Sequence, residues 1–169
     1  MSYVDEILTG AVLARDAVEL PDAALEGENA PDYDIILKNT PLRITISGEE
    51  PSWVWNVLDG ISKLGSFKPN WDTYGGLPVE PASISAGLEL LAATMGTTTP
   101  APAVVPTSPG GIQFEWHEAG VDLELEISPR GQASMVFENP GDDEYVEVDA
   151  LTSLSELQRA LALLSPNAT

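Results

Sequence analysis

The side chains of this protein that could do chemistry are concentrated in one stretch, IQFEWHEAGVDLELEISPRG, from Ile112 to Gly131. Its polar positions recur at every second residue on either side of a glycine turn: Glu115, His117, Asp122, Glu124 and Glu126. A histidine beside carboxylates can transfer protons, and a group of carboxylates can attract cations or basic surfaces. These five residues are therefore the first candidates for function.

The sequence motifs of common catalytic sites do not occur in the chain. There is no cysteine, and a lone histidine cannot form a multi-histidine zinc site. The GxSxG nucleophile elbow and the phosphate-binding patterns GxxxxGKS/T and GxGxxG are absent. The segment NPGDDEY lacks the ligand spacing of a calcium-binding loop.

Composition alone leaves a glycosidase-like pair of carboxylates open. Such a pair needs one acid in an apolar pocket, whereas the acids of this stretch alternate with the apolar residues and are expected to face solvent. We therefore predict a non-enzymatic protein with no catalytic residue, no metal site and no cofactor.

The charge of the chain constrains its partners. Twenty-seven acidic residues accompany seven basic ones, giving a net charge of -20. Such a charge repels nucleic acid and anionic membranes and attracts basic protein surfaces. We expect the partner to be a basic protein surface, such as that of a nucleic-acid-binding protein, with no direct contact to nucleic acid or membrane. The alternative is that the acids serve only solubility.

Two further features indicate where the protein acts. No apolar run approaches the roughly 18 residues of a membrane span, and the opening MSYVDEILTG has acids where a signal peptide has basic residues. The absence of cysteine is typical of a reducing compartment. We therefore expect a cytoplasmic protein.

A second candidate region is the loop KPNWDTYGGLPVEP, which contains Trp71 and Tyr74. Aromatic residues dominate interface hot spots, so the two rings could form a recognition patch. The other interpretation, which we favour, is a tight loop whose rings fill the gap between helices and sheet.

The elements that must position these residues follow from periodicity. Alternating segments after Ile112 predict a meander of strands, and apolar residues at helical spacing predict helices around Trp53–Leu64, Ile84–Met95 and Leu154–Leu164. The result is an α+β fold: an antiparallel sheet, made of a C-terminal meander of about four strands plus an N-terminal hairpin, packed on one face by two central helices and a C-terminal helix.

The organisation of the chain is predicted as a single domain, 1–169. Residues 1–32 form an acidic N-terminal segment of uncertain structure, in which Ser2 and Asp5 could cap a short helix from Tyr3 to about Gly10. The hairpin is expected at Tyr33–Lys38 and Leu42–Ser47, joined by the turn NTP. Residues 96–111 are a proline- and threonine-rich stretch that we interpret as an extended connector.

Two motifs in order, NWDTYGGLPVEPASISAGLELL and VVPTSPGGIQFEWHEAGVDLELEIS, resemble a group of uncharacterised bacterial and phage proteins. That group pairs an NWDGYGA-P loop with a P-GGIQLEWH strand and an acidic DLEIEI strand. The resemblance covers about residues 70–128, with Thr73 where the group usually has glycine and Gly76 where it has alanine. It implies no particular activity. It does imply an accessory gene of a mobile element, and so a toxin, defence or counter-defence setting.

We therefore expect an acidic interaction protein, such as an inhibitor, antitoxin, immunity or counter-defence protein. The predicted partner-binding residues are Glu115, His117, Asp122, Glu124, Glu126, Trp71 and Tyr74. Two alternatives stay open. One is a small enzyme or ligand-binding domain that uses the Trp71 loop together with His117. The other is a DNA mimic, which requires acids at duplex-like spacing.

The charge argument predicts no measurable binding to duplex DNA or RNA at physiological salt, because seven basic residues cannot offset the repulsion of the acids. A gel-shift titration with labelled duplexes measures this directly. A retarded band that weakens as salt is raised would contradict the charge argument.

Overall fold

The computed structural model of the chain describes residues 6–8, 33–36, 43–46, 50–118 and 120–164. Within these ranges it is an α+β protein with three helices and a five-stranded antiparallel sheet. In chain order the elements are β1 (Glu6–Leu8), β2 (Tyr33–Ile36), β3 (Arg43–Ile46), α1 (Val54–Leu64), α2 (Pro81–Thr94), β4 (Ala103–Pro106), β5 (Ile112–Glu118), β6 (Val121–Ile127), β7 (Ala133–Asn139), β8 (Glu144–Asp149) and α3 (Leu154–Leu164).

The large sheet is a simple meander in which each strand pairs with the next, in the order β4-β5-β6-β7-β8. Burial alternates along β5, β6 and β7 with the period of two that extended backbone imposes. The register places Phe114 opposite Leu125 and Leu125 opposite Met135, so the apolar positions of adjacent strands share one face. This inner face is the floor of the hydrophobic core.

The three helices supply the rest of the core. The alternation of the strands and the spacing of the last helix predict one core that contains Trp116, Leu123, Leu125, Phe137 and Leu157, and the structure confirms it because each of these side chains is buried. The spacing that predicts the three helices also predicts their apolar stripes: Trp53, Val54, Val57, Leu58, Ile61 and Leu64 at α1, Ile84, Leu88, Leu91 and Met95 at α2, and Leu154, Leu157, Leu161 and Leu164 at α3. All of them are buried except Met95, which is partly buried, and Leu154, which is 41% exposed at the start of α3.

The connector prediction for residues 96–111 is wrong in part, because Ala103–Pro106 forms strand β4 and the meander has five strands rather than about four. β4 pairs antiparallel with β5 through Val104 opposite Phe114 and Val105 opposite Gln113. A proline-containing segment can serve as a strand at a sheet edge, where an N–H that faces away from the sheet is not needed. Gly60 of α1 lets the helix approach this strand, because a Cβ there would lie 2.7 Å from the Val104 Cβ.

The N-terminal hairpin is confirmed as the antiparallel pair β2 and β3, with Ile35 opposite Ile44. It does not extend the meander, however. It belongs to a separate three-stranded sheet of order β1-β3-β2, in which β1 runs parallel to β3. The helix predicted from Tyr3 to about Gly10 is wrong at residues 6–8, which are the strand β1. A capping pattern is a weak local signal, and pairing with a distant strand overrides it.

The rest of the N-terminal predictions, which concern the remainder of residues 1–32, the turn NTP and the strand ends at Lys38, Leu42 and Ser47, lie outside the described residues.

One buried hydroxyl ties α2 to the sheet. Ser83 is fully buried, and its Oγ donates to the carbonyl oxygen of Ser128 at 3.0 Å, with the Gly110 carbonyl oxygen 3.3 Å away. The turns that follow β4 and β6 are therefore both held against the first turn of the helix. Satisfying a buried hydroxyl with carbonyl groups avoids the free-energy penalty of leaving it unpaired.

Replacing Leu125 by alanine should lower the free energy of unfolding by about 2–5 kcal/mol, because the side chain is fully buried between Phe114 and Met135. Equilibrium urea denaturation measures the change. Glu124→Ala is the matched control on the same strand, and since Glu124 is exposed we expect it to change stability by less than about 1 kcal/mol. Equal losses in the two variants would contradict the strand register.

Candidate functional site

The outer face of the meander carries a set of carboxylates that we call the acidic face. The alternation that buries the apolar residues of β5 to β8 directs the intervening residues outward. Seven carboxylates stand on this face: Glu115, Asp122, Glu124, Glu126, Glu138, Glu147 and Asp149. None of the strands β4 to β8 contains a lysine or arginine, so nothing on these strands except His117 can offset the charge.

The register brings like charges into direct opposition. Glu115 pairs with Glu124 across β5 and β6, and Asp122 pairs with Glu138 across β6 and β7. Directly opposed like charges destabilise a sheet by a few tenths of a kcal/mol up to about 1 kcal/mol each. The side-chain amide of Gln113 donates to Glu115 at 2.9 Å and relieves part of this repulsion.

His117 is the one titratable base of the acidic face. Its Nδ1 lies 2.7 Å from Oδ1 of Asp122, and its Nε2 lies 3.6 Å from Oε2 of Glu115. The hydrogen bond to Asp122, and to a smaller extent the nearby carboxylate of Glu115, raises the pKa of His117 above its ordinary 6.5. Below that pKa the imidazolium is a single positive charge bound by two of the predicted partner-binding carboxylates.

The structure adds residues that the predicted site omitted. Glu138, Glu147 and Asp149 extend the acidic face across β7 and β8. Tyr145 also lies on this face, is 58% exposed, and donates its hydroxyl to Glu147 at 3.0 Å, which raises the pKa of the phenol. The alternation of ASMVFEN and EYVEVD already contained the signal for all four residues.

The acidic face has a shallow depression where β6 and β8 end and β7 begins, beside the turn after β6. Its volume is about 580 Å³, and its lining combines polar residues, among them Glu126, Gln132 and Asp149, with the apolar Ala133 and Val148. Among the described residues no group of three or more histidine, cysteine or acidic side chains has the geometry to hold a metal ion.

The loop KPNWDTYGGLPVEP, which we call the Trp71 loop, is closed by its own hydrogen bonds. The Trp71 indole packs on Phe67 with ring centroids 5.3 Å apart and donates its Nε1–H to the Leu77 carbonyl oxygen at 3.0 Å. Oδ1 of Asp72 accepts the backbone N–H groups of Tyr74 and Gly76, both at 2.8 Å. The chain conformation therefore depends on these side chains, and Trp71 has a structural role.

Tyr74 does not share that role. Its side chain is 93% exposed at the tip of the loop. The interpretation that both rings fill the gap between helices and sheet is therefore wrong for Tyr74. The preceding residue, Thr73, has a positive φ of 67°. A left-handed backbone favours glycine, so the backbone at Thr73 is strained.

The Trp71 loop and His117 are not brought together. The loop is bound to the turn before β5, where the Ser108 hydroxyl donates to Oδ2 of Asp72 at 2.6 Å and the Leu77 N–H donates to the Ser108 carbonyl oxygen. The hydrogen bond from Ser108 is the largest influence lowering the pKa of Asp72. His117 lies near the opposite end of β5, five residues beyond Ile112, which is about 17 Å of extended chain.

The exposure of the carboxylates can be compared with what a paired-carboxylate catalytic site requires. The buried polar side chains of residues 50–118 and 120–164 are Ser83 and Thr99, so no carboxylate of these ranges is fully buried. An apolar pocket is what raises the pKa of a catalytic general acid in paired-carboxylate sites.

Comparison with family models, curated proteins and solved structures found no match to this chain. Within the described ranges, none of the helices has the length and apolar character needed to cross a bilayer.

His117 should titrate with a pKa above 6.5, which the ring-proton shifts of the chain's single histidine report in an NMR pH series. Because the folded pKa lies above the unfolded value, the interaction stabilises the fold below about pH 6.5, and this stabilisation disappears as the pH rises through the folded pKa. Asp122→Asn should return the pKa toward 6.5.

The matched control is Glu124→Gln, which removes a carboxylate of the same face that does not bond His117. It should leave most of the elevation in place. A native pKa at or below 6.5, or equal effects of the two variants, would show that the pairing of His117 with Asp122 does not persist in solution.

Proposed function

We propose that this protein is a non-enzymatic acidic binding protein whose acidic face engages a basic surface of a partner protein. An inhibitor, antitoxin, immunity or counter-defence protein would work in this way. The observation that carries the proposal is the arrangement of seven outward carboxylates on four neighbouring strands that contain no lysine or arginine.

The density of charge supports a partner that ordinarily binds nucleic acid. Four strands span about 14 Å across the sheet, and the positions from Asp122 to Glu126 span about 14 Å along it. A DNA duplex of that length carries roughly eight phosphate charges, distributed around its whole circumference. The acidic face presents seven carboxylates on one side of the sheet. A protein surface that binds nucleic acid would therefore meet an electric field comparable to that of DNA.

The same comparison makes DNA mimicry a narrower form of this proposal. In that form the acidic face occupies the nucleic-acid site itself, and duplex DNA competes with the protein for the partner. The possible enzyme has less support, because its two predicted components, the Trp71 loop and His117, stand near opposite ends of β5.

Charge reversal of the acidic face should prevent partner capture. The test immobilises the wild-type protein and the double variant Glu124→Lys/Glu126→Lys, and it identifies the proteins that each retains from native lysate by mass spectrometry. We expect a basic protein that wild type retains and the variant does not. With that partner purified, the variant should associate at least about tenfold more slowly and with a weaker dependence on salt.

The matched control is Glu89→Lys/Asp142→Lys, which makes the same change in net charge at exposed positions on α2 and in the turn before β8. This variant should retain the partner at nearly the native rate. If both double variants lose the partner equally, net charge rather than the acidic face governs binding. If neither loses it, the acidic face is a solvated surface and the proposal fails.

A further inference from the structure

The two edges of the meander are the strands β4 and β8. At one edge, α1 packs against β4 with Gly60 beside Val104, and Pro106 ends the strand. At the other edge is β8, and no strand in the described part of the chain pairs with its outer side. An edge strand presents unpaired N–H and C=O groups that can bind a further strand.

The ladder geometry identifies which groups of β8 are open. The Ala150 N–H donates to the Ala133 carbonyl oxygen at 3.1 Å, which makes this register position a hydrogen-bonded pair. Because such pairs alternate in an antiparallel ladder, Val146 and Val148 direct their backbone groups toward β7. Tyr145 and Glu147 therefore direct their backbone N–H and C=O groups away from the sheet.

The inner side of β8 is also incompletely covered. On the neighbouring strands the inward side chains are at most 5% exposed: those from Ile112 to Trp116 in β5, from Val121 to Ile127 in β6 and from Ala133 to Phe137 in β7. Val146 and Val148 of β8, by contrast, are only half-buried. Leu151, just beyond the strand, is 52% exposed. An added strand would thus meet apolar side chains on its inner face and Tyr145, Glu147 and Asp149 on its outer face.

These features select the occupant. In a second copy of this chain, antiparallel pairing of β8 with itself would place Glu147 and its neighbouring acids beside their own symmetry mates, at a net charge of -20 per chain. Opposed like charges destabilise such a pairing. A strand with basic side chains would avoid this repulsion, and its charges would be attracted to the same carboxylates.

We propose that the open edge of β8 binds an extended segment of the partner as a sixth strand, in which basic and apolar residues alternate. Its basic side chains lie over Glu147 and Asp149, and its apolar side chains lie against Val146 and Val148. This inference rests on the proposed function, because it specifies how the partner of the acidic face is held.

The probe is a capped hexapeptide of alternating lysine and valine, compared with a block hexapeptide of three lysines followed by three valines. The two have equal charge and composition, but in an extended conformation only the first separates its basic and apolar faces. Amide chemical shifts in two-dimensional NMR should change most at Tyr145 and Glu147 with the alternating peptide. The block peptide should bind more weakly.

Two variants of Glu147 separate the contribution of its backbone N–H to peptide binding from that of its side-chain charge. Glu147→Pro removes the outward N–H without breaking the ladder to β7, as proline on an edge strand allows. Glu147→Gln removes the same charge and keeps the N–H. The proline variant should bind the alternating peptide roughly threefold to tenfold more weakly than the glutamine variant, the effect of one net hydrogen bond.

The outcomes are distinct. Equal binding of the two peptides, with shifts confined to β5 and β6, would overturn strand addition while leaving the acidic face as an electrostatic site. Absence of any shift at Tyr145 and Glu147 with millimolar alternating peptide would also overturn it. If Glu147→Pro fails to fold, the comparison of the two peptides on the wild-type protein still decides the question. Partner capture by the acidic face tests the proposed function separately.

Discussion

Burial of the inner face of the meander is the constraint on which the rest of this structure depends. Phe114, Leu125 and Met135 form one row across three strands, and all three are buried beneath the helices. A slip of one residue in any strand would bring its carboxylates into this core and its apolar residues into water. The position of every acid on the outer face is therefore determined by apolar packing on the opposite side of the sheet.

The acidic face is electrostatically unfavourable in itself, and its tolerance has a physical explanation. Repulsion between Glu115 and Glu124 is weak because both are solvated at least in part, and each opposed pair destabilises the sheet by about 1 kcal/mol or less. Gln113 donates a hydrogen bond to Glu115, and His117 lies beside both Asp122 and Glu115. The burial of several large side chains outweighs these terms, so the fold can maintain a field that would attract a basic partner.

The perimeter of the sheet divides into closed and open parts. At the end where β5 begins, Asp72 and Ser108 join the Trp71 loop to the turn after β4, and Ser83 joins α2 to the turns at Gly110 and Ser128. Along β4, helix α1 packs on the inner face of the strand, with Gly60 beside Val104. At β8, Arg159 of α3 binds Glu144 at the start of the strand, but no strand among the described residues pairs with its outer side, and this strand joins the acidic face to half-buried valines. Both proposals therefore concern one continuous surface that runs from β5 to the outer side of β8.

The sequence by itself determined the α+β class, the alternation of β5 to β8, the composition of the core and the outward direction of Glu115, Asp122, Glu124 and Glu126. These properties follow from a period of two in strands and near 3.6 in helices, which neighbouring residues along the chain reveal. Strand β4 was missed because its four residues lie in a proline-rich stretch without alternation, and β1 was missed because it depends on pairing with a distant strand.

Only the tertiary structure decided which side chains meet. The bond from His117 to Asp122, the opposition of Glu115 to Glu124 and the distance between His117 and the Trp71 loop all depend on strand register. So does the exposure of Tyr145 on the strand left at the edge of the sheet. Periodicity along the chain determines the face on which a residue lies. The neighbour across the sheet is determined by the packing of the whole core, which no local segment contains.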